Sequence, residues 1–212
     1  EVLNQLGDFN SILEPGIGEG TSHASIAPLL QNKHYKLLGF DLSYSRIKYA
    51  TEFLSANNAI MPFELFLGDY LRCPLSDNAA DIVYTVHALE PSGGMEKDIL
   101  TELYRVAGKY LVLFEPSYEL GSNAAKDHIT KHGYVQNLYQ TAKDLNLNII
   151  EHKILFDGNE KTPNNTAVLV IEKDQKFSID TEVPTKYSCP ITKNPLTDFG
   201  DCFYSERSFF LY

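Results

Sequence analysis

The segment Ser11-Ile12-Leu13-Glu14-Pro15-Gly16-Ile17-Gly18-Glu19-Gly20 constrains the fold of this chain more than any other. A short apolar run ends in an acid, three glycines follow at alternate positions, and a helix-length stretch begins near Thr21. Glycine reaches positive φ at little cost and carries no Cβ to hold a ligand away from the backbone, so the pattern reads as strand, tight turn and helix. The plainer alternative is the same turn with no ligand. A dinucleotide-binding turn spaces its glycines G-x-G-x-x-G and aims the helix that follows at a pyrophosphate. Here the spacing is G-x-G-x-G, with Glu14 two positions before the first glycine. A carboxylate there repels a phosphate and accepts a hydrogen bond from an ammonium group, which suits a cationic ligand with an amino acid moiety.

Six further apolar runs have the length of buried strands: Lys36–Asp41, Phe63–Leu67, Asp81–Val86, Tyr110–Phe114, Leu147–Lys153 and Thr166–Ile171. Between several of them lie segments with apolar residues three or four apart, such as Ile47, Ala50, Phe53 and Leu54, or Ile99, Leu103 and Val106. Parallel neighbours need a crossover of about a dozen residues. The alternation therefore predicts an α/β, Rossmann-like fold: a seven-stranded, mostly parallel sheet with helices on both faces. The stretch from Ala124 to Leu147 reads as the last large helix. The short link Asp157–Asn165, with Gly158 and Pro163, reads as a hairpin, so the last strand is expected to be antiparallel. After Glu172 the pattern breaks, which divides the chain into a main domain over 1–172 and a C-terminal appendage over 173–212. A leading helix that would shield the sheet is almost absent before Ser11, as expected of a sequence that starts inside a longer chain.

Lys and Arg number 18 against 28 Asp and Glu, a net charge of −10, which is the wrong sign for affinity to nucleic-acid phosphates. No run approaches the roughly 20 apolar residues of a membrane span, and no signal-like region opens the chain. Cys73, Cys189 and Cys202 are an odd, scattered set, unlike a disulfide framework. A cytoplasmic protein with reduced thiols and no nucleic-acid or membrane partner is expected.

Asp41 closes the second apolar run 25 positions after Gly16. In nucleotide-binding sheets an acid about 20 residues past the glycines meets the ribose hydroxyls. Asp41 or Ser43 could equally cap the next helix, and the two roles are compatible. The third run ends Gly68-Asp69-Tyr70, where an adenine fits between the acid and apolar side chains such as Leu42 and Tyr70. Three acids at three strand ends point to one cleft outside the carboxyl edge of the sheet. S-adenosylmethionine, a cationic nucleoside with an amino acid end, is a ligand of that description.

With these residues in place the chain resembles the class I S-adenosylmethionine-dependent methyltransferases over roughly Ser11 to Glu172. Glu14, Gly16, Gly18 and Gly20 match the family's first motif, with Ile17 inside the turn. Asp41 matches its ribose-binding acid, Leu42 its adenine-flanking position, and Asp69 with Tyr70 its adenine-side motif. Asp81 to Glu90 resembles the fourth-strand motif, whose end, at Val86, lies near the transferable methyl. Leu103–Val106 and Tyr110–Pro116 resemble the small-molecule branch. Pro15 departs from the family, which more often has Val, Leu or Cys there. The resemblance implies methyl transfer from S-adenosylmethionine to an O, N or C nucleophile of a small acceptor, without a metal. Two other readings stand beside it: a cofactor-binding but non-catalytic partner or regulatory module, and a nicotinamide-dependent oxidoreductase, which the glycine spacing and Glu14 disfavour.

In-line transfer from a sulfonium needs chiefly positioning, with a base for some nucleophiles. His87 and Glu90, at and just past the fourth strand, are the candidate catalytic pair; alternatively His87 orients a loop. Pro91-Ser92-Gly93-Gly94 and Glu115-Pro116-Ser117-Tyr118 are candidate substrate loops. His128 and His132 have metal-binding i, i+4 spacing but no indicated third ligand, and with Lys126 and Lys131 they read as a solvated helix face. In the tail, Cys189-Pro190-Ile191-Thr192 and Cys202-Phe203-Tyr204-Ser205 resemble the two knuckles of a zinc ribbon in which Thr192 and Ser205 replace the second cysteines. Neutral hydroxyls are poor zinc ligands. The tail is expected to be a metal-free relic offering packing, or a surface for a homodimer or protein partner. Elemental analysis of purified protein should accordingly find zinc well below one equivalent.

Overall fold

The computed structural model describes residues 2–30, 33–57, 62–158, 164–174, 187–200 and 202–208. The seven apolar runs form strands β1 (Ser11–Pro15), β2 (Lys36–Asp41), β3 (Phe63–Leu67), β4 (Ala80–Val86), β5 (Ala107–Glu115), β6 (Asn148–Phe156) and β7 (Thr166–Glu172). They make one sheet in the order β3-β2-β1-β4-β5-β7-β6. β1 to β5 are parallel, and β7 is antiparallel to both its neighbours, β5 and β6. The seven-stranded, mostly parallel sheet with an antiparallel last strand is the architecture expected; β7 is inserted between β5 and β6.

The central strands read as unbroken apolar runs because both faces are covered. Leu13, Leu38, Val83 and Leu111 face one core, closed by Ile99, Leu103 and Val106. These three sit at 3- and 4-residue spacing on a helix over Glu96–Val106. Ile12, Leu37, Ile82 and Val112 face the other core, closed by Ile47 and Leu54 of the helix Tyr44–Ser55. In chain order the helices are α1 (Val2–Gln5), α2 (Thr21–Ile26), α3 (Tyr44–Ser55), α4 (Glu96–Val106), α5 (Asn123–His132) and α6 (Leu138–Asp144). The chain runs outward from β1 through β2 to β3, then returns to lay β4 on the other side of β1. At such a reversal the connections leave in opposite directions, and a crevice opens above the carboxyl ends of β1 and β4.

The single helix expected over Ala124–Leu147 is instead two, α5 and α6. Gly133 ends α5 in the left-handed region at φ 64°, donating its N–H to the carbonyls of Ile129 and Thr130, and Asn137 is again left-handed at φ 54°. Buried Ala125 and Ile129 on α5 and buried Leu138 and Ala142 on α6 are each four apart, so each half reads as helix, but the nine residues from Ile129 to Leu138 put the two sets about half a turn out of phase.

The tail packs on the β3 side of the sheet. Tyr187 bridges to Leu75, and Ser188 N–H donates to the Pro74 carbonyl at 2.9 Å. The Tyr187 ring meets Phe66 edge-on at 5.4 Å and lies 4.9 Å from Phe203. Short strands β8 (Thr197–Asp198) and β9 (Phe203–Tyr204) pair antiparallel. At the first knuckle the Thr192 N–H donates to buried Cys189 Sγ at 3.3 Å, and at the second the Ser208 N–H donates to buried Ser205 Oγ at 3.2 Å. Among the described residues no three His, Cys, Asp or Glu side chains gather as a metal site. No helix among them is long and apolar enough to cross a membrane. Most of the hairpin link (Pro163 included), the beginning of the appendage after Asp174, and its end at Tyr212 lie outside the described residues.

Candidate active site

The crevice at the chain reversal is a cleft of about 510 Å³, within the range of small-molecule sites. Gly16, Ile17, Gly18, Asp41, Leu42, Tyr70, Val86 and His87 line it, all residues singled out in the sequence. Gly16 must be glycine: φ is +71°, and a Cβ would stand 2.7 Å from the Cβ of Ala88 on the loop after β4. Gly20, at φ +77° before α2, stays out of the cleft and abuts the Leu54 side chain. Its role is packing.

The amides of this turn are already engaged. Gly16 and Ile17 N–H both donate to the Phe40 carbonyl, at 2.8 and 3.1 Å, and Gly20 N–H donates to the Ile17 carbonyl at 3.0 Å. Gly18 N–H donates to Asp41 Oδ2 at 3.1 Å. A pyrophosphate needs free amides aimed at it, and these four point elsewhere. Asp41 is thereby fixed at the tip of β2, where Oδ1 also accepts from Ser43 N–H at 2.8 Å. A carboxylate has about four acceptor positions, so two backbone bonds leave room for a diol. Arg46 Nη1 stands 3.9 Å from Oδ2 at the cleft wall. Leu42, 71 % exposed, offers an apolar face at the same rim. The residues present therefore fit an adenosine better than a dinucleotide.

The expectation that three acids share one cleft is corrected. Only Asp41 lines it. Asp69 accepts from Leu71 N–H at 2.8 Å and faces a neighbouring cleft of about 620 Å³, shared with Leu42, Gly68, Tyr187 and Ile191. Glu14 turns back beneath the glycine turn, where it is 2 % exposed and accepts from the Tyr84 hydroxyl at 2.5 Å. Since that proton goes to Glu14, His23 Nδ1–H donates to the Tyr84 oxygen at 3.0 Å, and His23 Nε2 accepts from Tyr35 at 3.2 Å. Burial pushes Glu14 up to about 8 and His23 down to about 4, so this network is uncharged at neutral pH. Side chains alternate along a strand, and position 14 shares the inward face of Ile12.

His87 sits where β4 ends, with its backbone left-handed at φ 49° and its N–H held by the Phe114 carbonyl at 2.9 Å. Its ring is held at both nitrogens: Nδ1–H donates to Glu90 Oε1, and Nε2 meets the Thr166 hydroxyl at 2.8 Å. The hydrogen bond to Glu90 holds the His87 pKa above its ordinary 6.5. Glu90 itself lies outside the cleft lining and takes a second bond, at 3.4 Å, from Asn164 Nδ2. Behind them Glu115 is fully buried and accepts from the Ala88 and Leu89 amides at 3.0 and 3.3 Å, with burial raising its pKa to about 7. Sequence reasoning missed Thr166, Arg46 and this bracing role of Glu115. Thr166 lies 79 positions from His87, and no local pattern links them.

Residues 13–112 match the family described as "Methyltransferase domain". The match spans just under half of the chain, from β1 to within β5. No curated protein matches the sequence. Among solved structures, the chain superposes on an S-adenosylmethionine-dependent methyltransferase from Methanosarcina mazei with TM-score 0.64 at 17% identity, covering 82% of this chain and 97% of that one. One from Aquifex aeolicus gives 0.58 at 16%, covering 81% and 87%. Geranyl diphosphate C-methyltransferase from Streptomyces coelicolor A3(2) gives 0.62 at 12%, covering 80% and 77%. At such identities the likeness is one of fold, and acceptor chemistry has to come from the site.

The buried acid carries a stability signature. Folded Glu14 keeps its proton up to about pH 8, whereas the unfolded carboxyl loses it near 4.5, so its contribution to stability falls as pH rises through that window. Glu14→Gln removes this loss, and its Tm relative to the parent should climb steadily between pH 5 and 8. A difference independent of pH would show that Glu14 is ionised in the fold.

Proposed function

We propose that this chain is an S-adenosylmethionine-dependent methyltransferase acting on a small molecule, with His87 and Glu90 as the proton-accepting pair and the glycine turn, Asp41 and Leu42 holding the nucleoside. The observation that carries this reading is the His87 ring, fixed by Glu90 at Nδ1 and facing a hydroxyl at Nε2 within 2.8 Å. S-adenosylmethionine supplies an electrophilic methyl on a sulfonium, and the protein supplies position and a proton acceptor. A neutral His87 accepts at Nε2 while its Nδ1–H stays on Glu90, which fixes the tautomer a base requires. Asp41 takes ribose hydroxyls on its remaining lone pairs, and Leu42 and Tyr70 flank the adenine. Ile17 and Val86 close the cleft on its apolar side, which excludes water from the methyl. Net charge −10 supports a small acceptor over a nucleic acid.

Asp41→Ala should weaken binding of S-adenosylhomocysteine by about 1–3 kcal/mol, read by calorimetry, through lost buried hydrogen bonds. Unchanged affinity would remove Asp41 from the ribose site. His87→Ala should lower turnover by roughly 10²–10⁴-fold with cofactor affinity retained. The base works only when neutral and its pKa is raised above 6.5 by Glu90, so turnover should rise with pH through a midpoint above 6.5. Glu90→Gln should move that midpoint down, and an unmoved midpoint would leave His87 as a loop-orienting residue.

A further inference from the structure

A second cleft, of about 530 Å³, opens on the far side of Val86, which lines both this cleft and the nucleoside cleft. Its walls are mostly apolar, with Ile26, Leu29, Phe114, Leu155 and Phe156, and the amides Asn4 and Gln5 stand at one side. Leu29 and Phe156, both in this lining, are 62 % and 70 % exposed, large apolar side chains of the kind that mark a binding surface when they share one cleft. The one cation among the described lining residues, Lys153, is paired with Glu151 at 2.5 Å, and no acid lines the cleft. An ammonium group would find no counter-charge there, and an anion would have to compete with Glu151 for Lys153.

One polar point joins the two clefts. Thr166 lines the apolar one and its hydroxyl contacts Nε2 of His87, which lines the nucleoside one. The contact is an O–H on a ring nitrogen at 2.8 Å, the geometry in which a substrate hydroxyl would give up its proton.

Resting on the methyl-transfer reading above, we infer that the acceptor is a neutral, apolar phenol, seated in the cleft beyond Val86 with its hydroxyl on His87 Nε2 in place of Thr166. The proton of that O–H passes to Nε2, an oxygen lone pair forms the bond to the methyl carbon, and the carbon–sulfur pair leaves on sulfur. The products are an aryl methyl ether, a neutral thioether and an imidazolium that returns its proton to water. A phenol suits this step because its pKa, near 10 as in tyrosine, is far closer to a raised histidine than that of an aliphatic alcohol. Its ring also matches the apolar walls, where each buried carbon adds to affinity without a charge to desolvate.

Three probes of one ring system separate the possibilities: 2-naphthol, the cationic 2-naphthylmethylamine and the anionic 2-naphthoate. On protein loaded with S-adenosylhomocysteine, 2-naphthol fluorescence should report binding about tenfold or more tighter than either charged probe, since an unpaired buried charge costs more than 1.4 kcal/mol. With labelled cofactor, 2-naphthol alone should yield the methyl ether. Phe156→Asp and Leu29→Asp should raise KM for 2-naphthol about tenfold rather than lower kcat, with S-adenosylhomocysteine affinity as in the parent. Preferred methylation of a charged probe, absence of 2-naphthol binding, or an unchanged KM in both variants would overturn the inference while leaving the cofactor reading intact. Failure of the parent to bind S-adenosylhomocysteine would instead overturn the cofactor reading itself.

Discussion

The carbonyl of Phe40 receives two amides of the glycine turn, and the neighbouring Asp41 carboxylate receives a third. These bonds tie the end of β1 to the tip of β2 and set the floor of the cleft. They also decide what the turn can do. Amides spent on β2 are unavailable to an anion, whereas the carboxylate they position keeps acceptor capacity toward the cleft. The glycines serve this closure. Gly16 lets the loop after β4 come within contact, and Gly20 lets Leu54 of α3 pack under the start of α2.

Around that floor the sheet separates two kinds of acid. Asp41 sits at a strand tip with backbone donors and stays at the cleft surface. Glu14 lies one layer down, where burial outweighs the single Tyr84 hydrogen bond and keeps the carboxyl protonated. Glu115 is equally buried, yet two backbone amides meet its two oxygens and temper the same effect. Residue type alone does not separate these cases; the number and charge of partners do. His87 occupies the remaining position at the edge, left-handed and braced from β5 and β7, so that its ring lines the main cleft and meets Thr166 of the next.

The tail adds a wall to the cleft that Leu42 and Asp69 share. Tyr187 stacks its ring into Phe66 and Phe203, and Lys193 reaches Glu102 of α4 at 2.5 Å. Cys189 and Ser205, which hold ligand positions in a zinc ribbon, are buried with local hydrogen bonds to main-chain and hydroxyl partners. Both turns close by local hydrogen bonds, Thr192 N–H on Cys189 Sγ and Ser208 N–H on Ser205 Oγ.

Strand positions, their parallel order up to β5 and the glycine turn were legible in the sequence, because continuous apolar runs and the no-Cβ requirement are local signals. The residues of the main cleft were legible for the same reason: Gly16, Gly18, Asp41, Leu42, Tyr70, Val86 and His87 all sit at strand ends, and strand ends share an edge. The break between α5 and α6 was not, since each half carries its own four-residue apolar spacing and no proline marks the stop between them. Nor was the fate of the three acids, because strand alternation and depth, not proximity in sequence, send Glu14 inward and Asp69 to the next cleft. The pairing of His87 with Thr166 and the meeting of two clefts at Val86 depend on β7 lying antiparallel beside β5, a contact between distant segments. Local chemistry determined which residues would gather at the carboxyl edge; only the packed sheet decided which of them face a ligand and which are buried against one another.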